Sequence, residues 1–214
     1  MSQSIIPRAA VRGRASGVMF LAFFGTLWAG IGIKGLNGWG YLWLLILSLL
    51  IGVVLLIGGI VLIIKSKRLS NEMGEGDSNR WKRKNMWFGI NFGLEGVLIG
   101  VASAICRSTN HLDLFVPIIA LIVGVHFYPL AHLFQVKIYY FSGSLLCLLS
   151  AITLFTLPVR VTWENNQIMV WWITVGFGSA LILWGTCVTV WQVGNKLLNS
   201  AGNRVKEAEE SFRF

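Results

Sequence analysis

One carboxylate and one imidazole stand out in this chain, because each lies inside a long apolar run. Glu95 follows Asn91 at a spacing of four residues, which places both side chains on one face of a helix. His126 lies in the next apolar run. A carboxylate in contact with an imidazole can hold or pass a proton near physiological pH, or bind a cation. The same groups can also act only as a polar clamp between two helices.

The composition of the chain indicates which kind of protein positions these residues. Of the 214 residues, 55% are hydrophobic and 13% are charged, against about 45–50% and about 25% in soluble domains. A domain of this size cannot hide so much apolar surface in one water-soluble core. The charge density is also too low for a disordered chain. We therefore expect a polytopic membrane protein.

Six stretches are long and apolar enough for a membrane-crossing helix, which needs about 20 residues. The β-barrel alternative is excluded, because barrel strands are about ten residues long with alternating polarity. The fold class is therefore an all-α bundle of six transmembrane helices in one domain, 1–194, and the short loops predict three antiparallel hairpins from spans 1–2, 3–4 and 5–6. The six spans are residues 15–33, 39–64, 85–106, 114–136, 138–159 and 167–194.

The distribution of Lys and Arg predicts the orientation of these spans. With six spans, one side of the membrane holds 15 of the 18 basic residues, and the other holds Lys34, Arg107 and Arg160. Basic residues are enriched on the cytoplasmic side. Both termini are therefore predicted to lie in the cytoplasm.

Several functions are excluded by spacing and by charge. The net charge of +9 is spread over the loops rather than gathered in one patch, which argues against nucleic-acid binding. His126 and His132 are six residues apart and cannot chelate one metal from a regular helix. No disulfide or metal-ligand spacing joins Cys106, Cys147 and Cys187. No nucleophile–base pair or phosphate loop indicates an enzyme, and no cofactor is predicted.

Two cytoplasmic segments are expected to meet the lipid surface or a partner. Basic clusters flank the polar stretch 71–79 in the loop of residues 65–84, which indicates either contact with anionic lipid or topology signals around a flexible linker. Residues 195–214 repeat apolar side chains at three- and four-residue steps. This pattern predicts an amphipathic tail helix on the membrane or on a partner, and it leaves open a homo-oligomer or a second membrane protein.

Spans 3 and 4 are predicted to be antiparallel neighbours, with Glu95 and His126 at matching depth near the membrane centre. A carboxylate at that depth costs about 2.5–3.5 kcal/mol and needs a partner. Span 3 also carries small residues on another face, and such a face lets a second helix approach closely. We therefore expect span 3 at the centre of the bundle, with this glycine stripe packed on a neighbour: Gly89, Gly93, Gly96 and Gly100.

The end of span 4 adds further polar groups. Pro129 should kink the helix and free a backbone carbonyl near His126. Tyr128, His132 and Gln135 follow on about one face. These four residues form a secondary set around the predicted site.

A short segment of the chain resembles a bacterial family of small, uncharacterised integral membrane proteins. The likeness rests on the run Gly-Val-His-Phe-Tyr-Pro-Leu-Ala at residues 124–131, then Leu-Phe at 133–134 and Ile-Tyr-Tyr-Phe-Ser-Gly at 138–143. Members of that family have six spans, a glutamate in mid-chain, an H-F-x-P-L-A segment and a Y-Y-x-x-G motif. The matching positions are Glu95, His126 and Pro129. The resemblance implies a bacterial cytoplasmic membrane and carries no activity.

Two functions fit these observations. In the first, the chain is a small transporter or ligand-binding protein with a proton-sensitive site at Glu95, His126 and Asn91. In the second, it is a scaffold or accessory subunit in which the same residues only hold helices together. A transporter needs a water-accessible hollow at Glu95, whereas a scaffold needs a dry and fully packed contact.

The orientation predicts which single cysteines can be labelled from outside the cell. In a chain whose native cysteines are replaced by alanine, Asn165→Cys should react with a membrane-impermeant maleimide on intact cells. Asn71→Cys should react only after the membrane is permeabilised, because it lies in the strongly basic loop. Labelling of position 71 on intact cells would overturn the topology.

Overall fold

The computed structural model describes the backbone of residues 8–38, 40–67, 75–163 and 166–211, and side chains over 11–38, 40–67, 82–162 and 166–200. Within these ranges, six helices are long and apolar enough to cross a membrane. This confirms the six spans predicted from the sequence. The helices are α1 Arg8–Gly35, α2 Tyr41–Ser66, α3 Glu75–Ser108, α4 Phe115–Phe134, α5 Ile138–Thr156 and α6 Val170–Ser211.

Close packing of α1 against α6 forms the centre of the bundle. The two helices run antiparallel, and glycines let their backbones touch. A Cβ atom added to Gly176 would lie 2.5 Å from the Cα atom of Gly32, and one added to Gly35 would lie 2.9 Å from the Cβ atom of Trp172. Apolar side chains gain little by leaving lipid for another helix, so such close contact is a main source of helix association in membranes.

The remaining helices are arranged around this pair. On one side α2 packs on α1, with Gly59 against Met19, and on α6. On the other side α5 packs on α6, and α4 packs on α5. Ser150 of α5 donates a hydrogen bond to the carbonyl oxygen of Pro117 of α4 at 2.6 Å. The hydroxyl oxygens of Ser142 and Thr186 lie 2.6 Å apart between α5 and α6.

Helix α3 lies at the edge of the bundle, which corrects the expectation that it lies at the centre. It packs along α4 and reaches α1 through aromatic rings, where Phe88 and Phe92 meet Phe20. The expectation that its glycines pack on a neighbouring helix is also wrong for the described part of the chain. Gly89, Gly93, Gly96 and Gly100 are all exposed, and a Cβ atom at any of them would meet no atom within 4 Å.

The reason for this error is that an edge helix buries only one face. The packed face of α3 carries Asn91, Glu95 and the buried Ala102. The glycine stripe lies about 150° away from that face around the helix, at 100° per residue. It therefore points away from α4.

Two helices, α3 and α6, extend beyond the spans that the sequence predicted. Helix α3 begins at Glu75, inside the predicted loop of residues 65–84. Residues 68–74 lie outside the described part of the chain. Helix α6 runs without a break to Ser211, so residues 195–211 extend the sixth helix, and the expected apolar face of the tail beyond Ser200 falls outside the described side chains.

A β-hairpin occupies the predicted loop between spans 5 and 6 and replaces the first residues of span 6, and α5 ends three residues before the predicted end of span 5. Strands β1 Arg160–Trp163 and β2 Asn166–Met169 pair antiparallel. Pro158 restricts Leu157 to an extended conformation, which ends α5 at Thr156. Arg160 donates to a carboxylate oxygen of Asp113 at 3.0 Å, so the hairpin is tied to the start of α4.

The contact between Gly176 and Gly32 predicts a specific loss of stability. Gly176→Ala should lower the free energy of unfolding in mild detergent by about 1–3 kcal/mol, because the added methyl group forces α1 and α6 apart. Gly185→Ala is the matched control on the same helix, since its Cβ atom would meet nothing within 4 Å. That control should be neutral or slightly stabilising. Equal unfolding midpoints for the two variants would contradict the close packing of α1 on α6.

Candidate functional site

Glu95 and His126 lie against each other where α3 packs on α4. The Nε2 atom of His126 is 3.4 Å from the Oε2 atom of Glu95, and the two side chains are 10% and 12% exposed, respectively. Hydrogen bonds from N–H to oxygen are usually about 2.7–3.2 Å long. The pair is therefore within ion-pair distance, and a small side-chain movement would make a hydrogen bond. The contact expected from depth and antiparallel adjacency is present.

Both residues lie well inside the apolar part of their helices. Glu95 is the middle residue of the span Lys82–Ser108. His126 lies eight residues before the end of α4 at Phe134. Two turns away, the rings of Phe88 and Phe134 meet at 5.8 Å and hold the register of the two helices.

A groove of about 270 Å³ opens beside the pair. Asn91 lies one turn from Glu95 and lines the same groove, as the four-residue spacing predicted. Ligand pockets usually measure about 300–1,000 Å³, so this groove suits a small ligand. Three of the nine lining residues are polar and six are apolar: Asn91, Leu94, Glu95, Leu98, Leu121, Ile122, Val125, His126 and Pro129.

Pro129 changes the hydrogen bonding of α4 at the groove. It lies inside the helix, which continues on both sides of it. Because proline has no N–H group, the carbonyl of Val125, four residues earlier, lacks its helical donor. Val125 and Pro129 both line the groove. The groove wall therefore includes a turn of α4 in which the Val125 carbonyl lacks its usual helical donor.

The structure does not bring the other predicted residues of span 4 to this groove. The hydroxyl oxygen of Tyr128 lies 2.7 Å from that of Ser144 on α5. His132 is exposed near the end of α4. Gln135 ends α4 in a left-handed conformation with φ of 55°. On α4, Pro129 lies on the same face as His126 and therefore lines the groove. Tyr128 and His132 are four residues apart and share a different face. The sequence analysis did not separate these two faces.

The apolar walls of the groove were missed by sequence reasoning. Leu94, Leu98 and Leu121 look like ordinary residues of an apolar span, and no local pattern distinguishes them. Over the residues that the structure describes, no group of three or more His, Cys, Asp or Glu side chains could hold a metal ion.

One family model, which describes a family of unknown function, is similar to part of the chain. A model of a family of unknown function (DUF7010) matches residues 89–186, which is slightly less than half of the chain. The matched segment includes Asn91, Glu95 and His126, and it agrees with the resemblance to an uncharacterised family. No curated protein and no solved structure matches the chain.

The contact between Glu95 and His126 predicts a measurable energetic coupling. In a double-mutant cycle of Glu95→Leu and His126→Leu, each of which removes the polar contact, the two changes in unfolding free energy should be non-additive. The expected coupling is about 0.6 kcal/mol and at most about 1.7 kcal/mol, as for other polar contacts in membranes. A control cycle of Glu95→Leu with Tyr128→Phe should be additive, because Tyr128 contacts α5 instead. Additivity in both cycles would mean that Glu95 and His126 do not interact.

Proposed function

We propose that this chain is a multi-pass membrane protein that binds a ligand in the Glu95–His126 groove and releases it when the pair takes up a proton. The observation that carries the proposal is the placement of the pair, 3.4 Å apart and partly exposed beside an open groove of about 270 Å³. An ionisable residue inside a membrane span is a functional-site hypothesis by default. Such a site serves a small transporter or a ligand-binding protein.

The groove is the feature that separates this function from a purely structural one. A clamp between α3 and α4 needs a contact from which solvent and ligands are excluded. The Glu95 side chain is instead 12% exposed beside an open groove. Asn91 and Pro129 also line this groove. The hydrogen-bonding groups of Glu95 and Asn91 beside an open groove support binding.

A scaffold role is the second candidate, and one observation favours it. Helix α3 has no extensive packing partner other than α4 among the described elements, and the Glu95–His126 contact lies within that packing. Loss of the pair could therefore release α3 from the bundle. Under this alternative, Glu95→Gln keeps every property of the protein, because an amide still hydrogen-bonds.

The membrane arrangement forms part of the proposal. Both termini lie in the cytoplasm of a bacterial cell, and spans 1–2, 3–4 and 5–6 form three antiparallel hairpins in the cytoplasmic membrane. The 15-to-3 division of Lys and Arg supports the orientation. Contacts between α1 and α2, between α3 and α4, and between α5 and α6 support the hairpins.

Ligand-induced thermal stabilisation tests the proposed function. The purified full chain is screened against a library of metabolites and cations. A compound at 100 times its Kd should stabilise the parent by about 2.7 kcal/mol, because it binds the folded state alone. Glu95→Gln should keep the parent's unliganded melting temperature and lose this stabilisation, whereas the control Tyr128→Phe should retain it. Failure of every compound, or equal stabilisation of parent and Glu95→Gln, would favour the scaffold.

A further inference from the structure

Resting on the proposed function, we infer that the groove takes a hydrophobic amine, which enters from the bilayer side and places its ammonium group against Glu95. Three features of the groove point to this ligand: its opening toward the bilayer, the polar groups that line it, and its volume.

The groove opens on the outer flank of the bundle, between the edge helix α3 and its neighbour α4. The side chains of its rim are strongly exposed, at 55% for Leu94, 40% for Leu121 and 57% for Val125. They lie at the level of Glu95, near the middle of the apolar spans. In a bilayer, exposed apolar side chains at this depth face acyl chains. A ligand dissolved in the membrane therefore reaches the groove laterally.

Three polar side chains line the groove. The carboxylate of Glu95 only accepts hydrogen bonds, whereas the amide of Asn91 and the imidazole of His126 both accept and donate. No Lys or Arg is among the described residues that line the groove. A ligand head that carries positive charge and N–H donors complements this set. A carboxylate or phosphate would instead be repelled by the charge of Glu95, because no basic residue of the groove offsets that charge.

The size of the groove limits the apolar body. The groove has a volume of about 270 Å³, just below the usual range for ligand pockets. Six apolar side chains of its wall suit a short alkyl or aryl body. A linear primary amine with eight carbon atoms is a ligand of this kind.

Binding of one ammonium group is coupled to the release of one proton. When the Glu95–His126 pair holds a proton, the carboxylate's charge is already neutralised. An amine that arrives through the acyl chains is neutral, because it has left one proton in the water. In the groove it takes up the proton of the pair and binds Glu95 as R–NH₃⁺. The net exchange is one aqueous R–NH₃⁺ for one proton released to water, so the charge of the site stays constant. Binding should therefore weaken as pH falls through the titration of the pair, and each bound amine should release up to one proton.

The test uses the full chain in nanodiscs of phosphatidylcholine, with empty nanodiscs to measure partitioning into lipid. Four probes share an eight-carbon chain and differ in the head: octylamine, octanol, octanoate and octyltrimethylammonium. Octylamine should bind at least tenfold more tightly than each of the others. It should also release protons in weakly buffered solution. Glu95→Gln should lose both the affinity and the proton release.

Two tryptophan variants locate the binding. Leu121→Trp fills the groove without touching the Glu95–His126 contact and should abolish octylamine binding. Leu181→Trp, at a position on α6 that is 67% exposed and outside the groove, should bind octylamine like the parent. If Leu121→Trp binds octylamine as well as Leu181→Trp does, the groove is not the site.

The remaining outcomes separate this inference from the function on which it rests. Equal affinity for octanol would mean apolar partitioning, and equal affinity for octyltrimethylammonium would mean a site that recognises charge without N–H donors; either result overturns the inference. If octylamine fails but another compound stabilises the parent and not Glu95→Gln, the proposed function stands and the amine is wrong. Cross-linking of Leu121→Cys to a second copy, together with no amine binding, would assign the groove to a dimer contact instead.

Discussion

The bundle depends on how closely two helices can approach when lipid offers apolar side chains as good an environment as protein does. Hydrophobic burial then contributes little, and packing of backbone against backbone must replace it. Helices α1 and α6 meet this constraint at Gly32 and Gly176, where there is no room for a Cβ atom. Helices α2 and α5 attach to that pair, and α4 attaches to α5. Helix α3, which is last in this order, packs mainly on α4 and touches α1 through the rings of Phe88, Phe92 and Phe20.

Polar side chains in the interior follow a second constraint, because no water is present to satisfy them. Among the described residues, every buried serine and threonine hydroxyl except that of Ser179 has a hydrogen-bond partner. Ser142 and Thr186 each donate to or accept from the other and also approach the carbonyl one turn earlier in their own helices. Ser150 donates across to the carbonyl oxygen of Pro117. Such groups stabilise the fold through hydrogen bonds within the protein.

The fold could be predicted from the sequence to the extent that local composition determines it. Apolar length identified six spans, and depth with antiparallel order placed Glu95 beside His126. Which face of a helix is packed is a global property, and there the prediction failed. The glycines of α3 have the spacing of a packing face, yet it is Gly176 on α6 that touches another backbone. Four-residue strands leave too short a pattern to be recognised. The first strand therefore fell in the predicted loop between spans 5 and 6, and residues 167–169 of the second strand were assigned to span 6.

The position of Glu95 bears on the choice between a clamp and a binding site. A clamp is most effective where both partners are desolvated and hydrogen-bonded to each other, as Ser142 and Thr186 are. A carboxylate can accept about four hydrogen bonds, and within the described residues the Glu95 carboxylate has one ion-pair contact, with His126 at 3.4 Å. The same carboxylate borders the groove that Asn91 and Pro129 also line, on the helix at the edge of the bundle. A group that costs about 2.5–3.5 kcal/mol to bury thus keeps hydrogen-bonding capacity at an open groove, which a purely structural contact does not require.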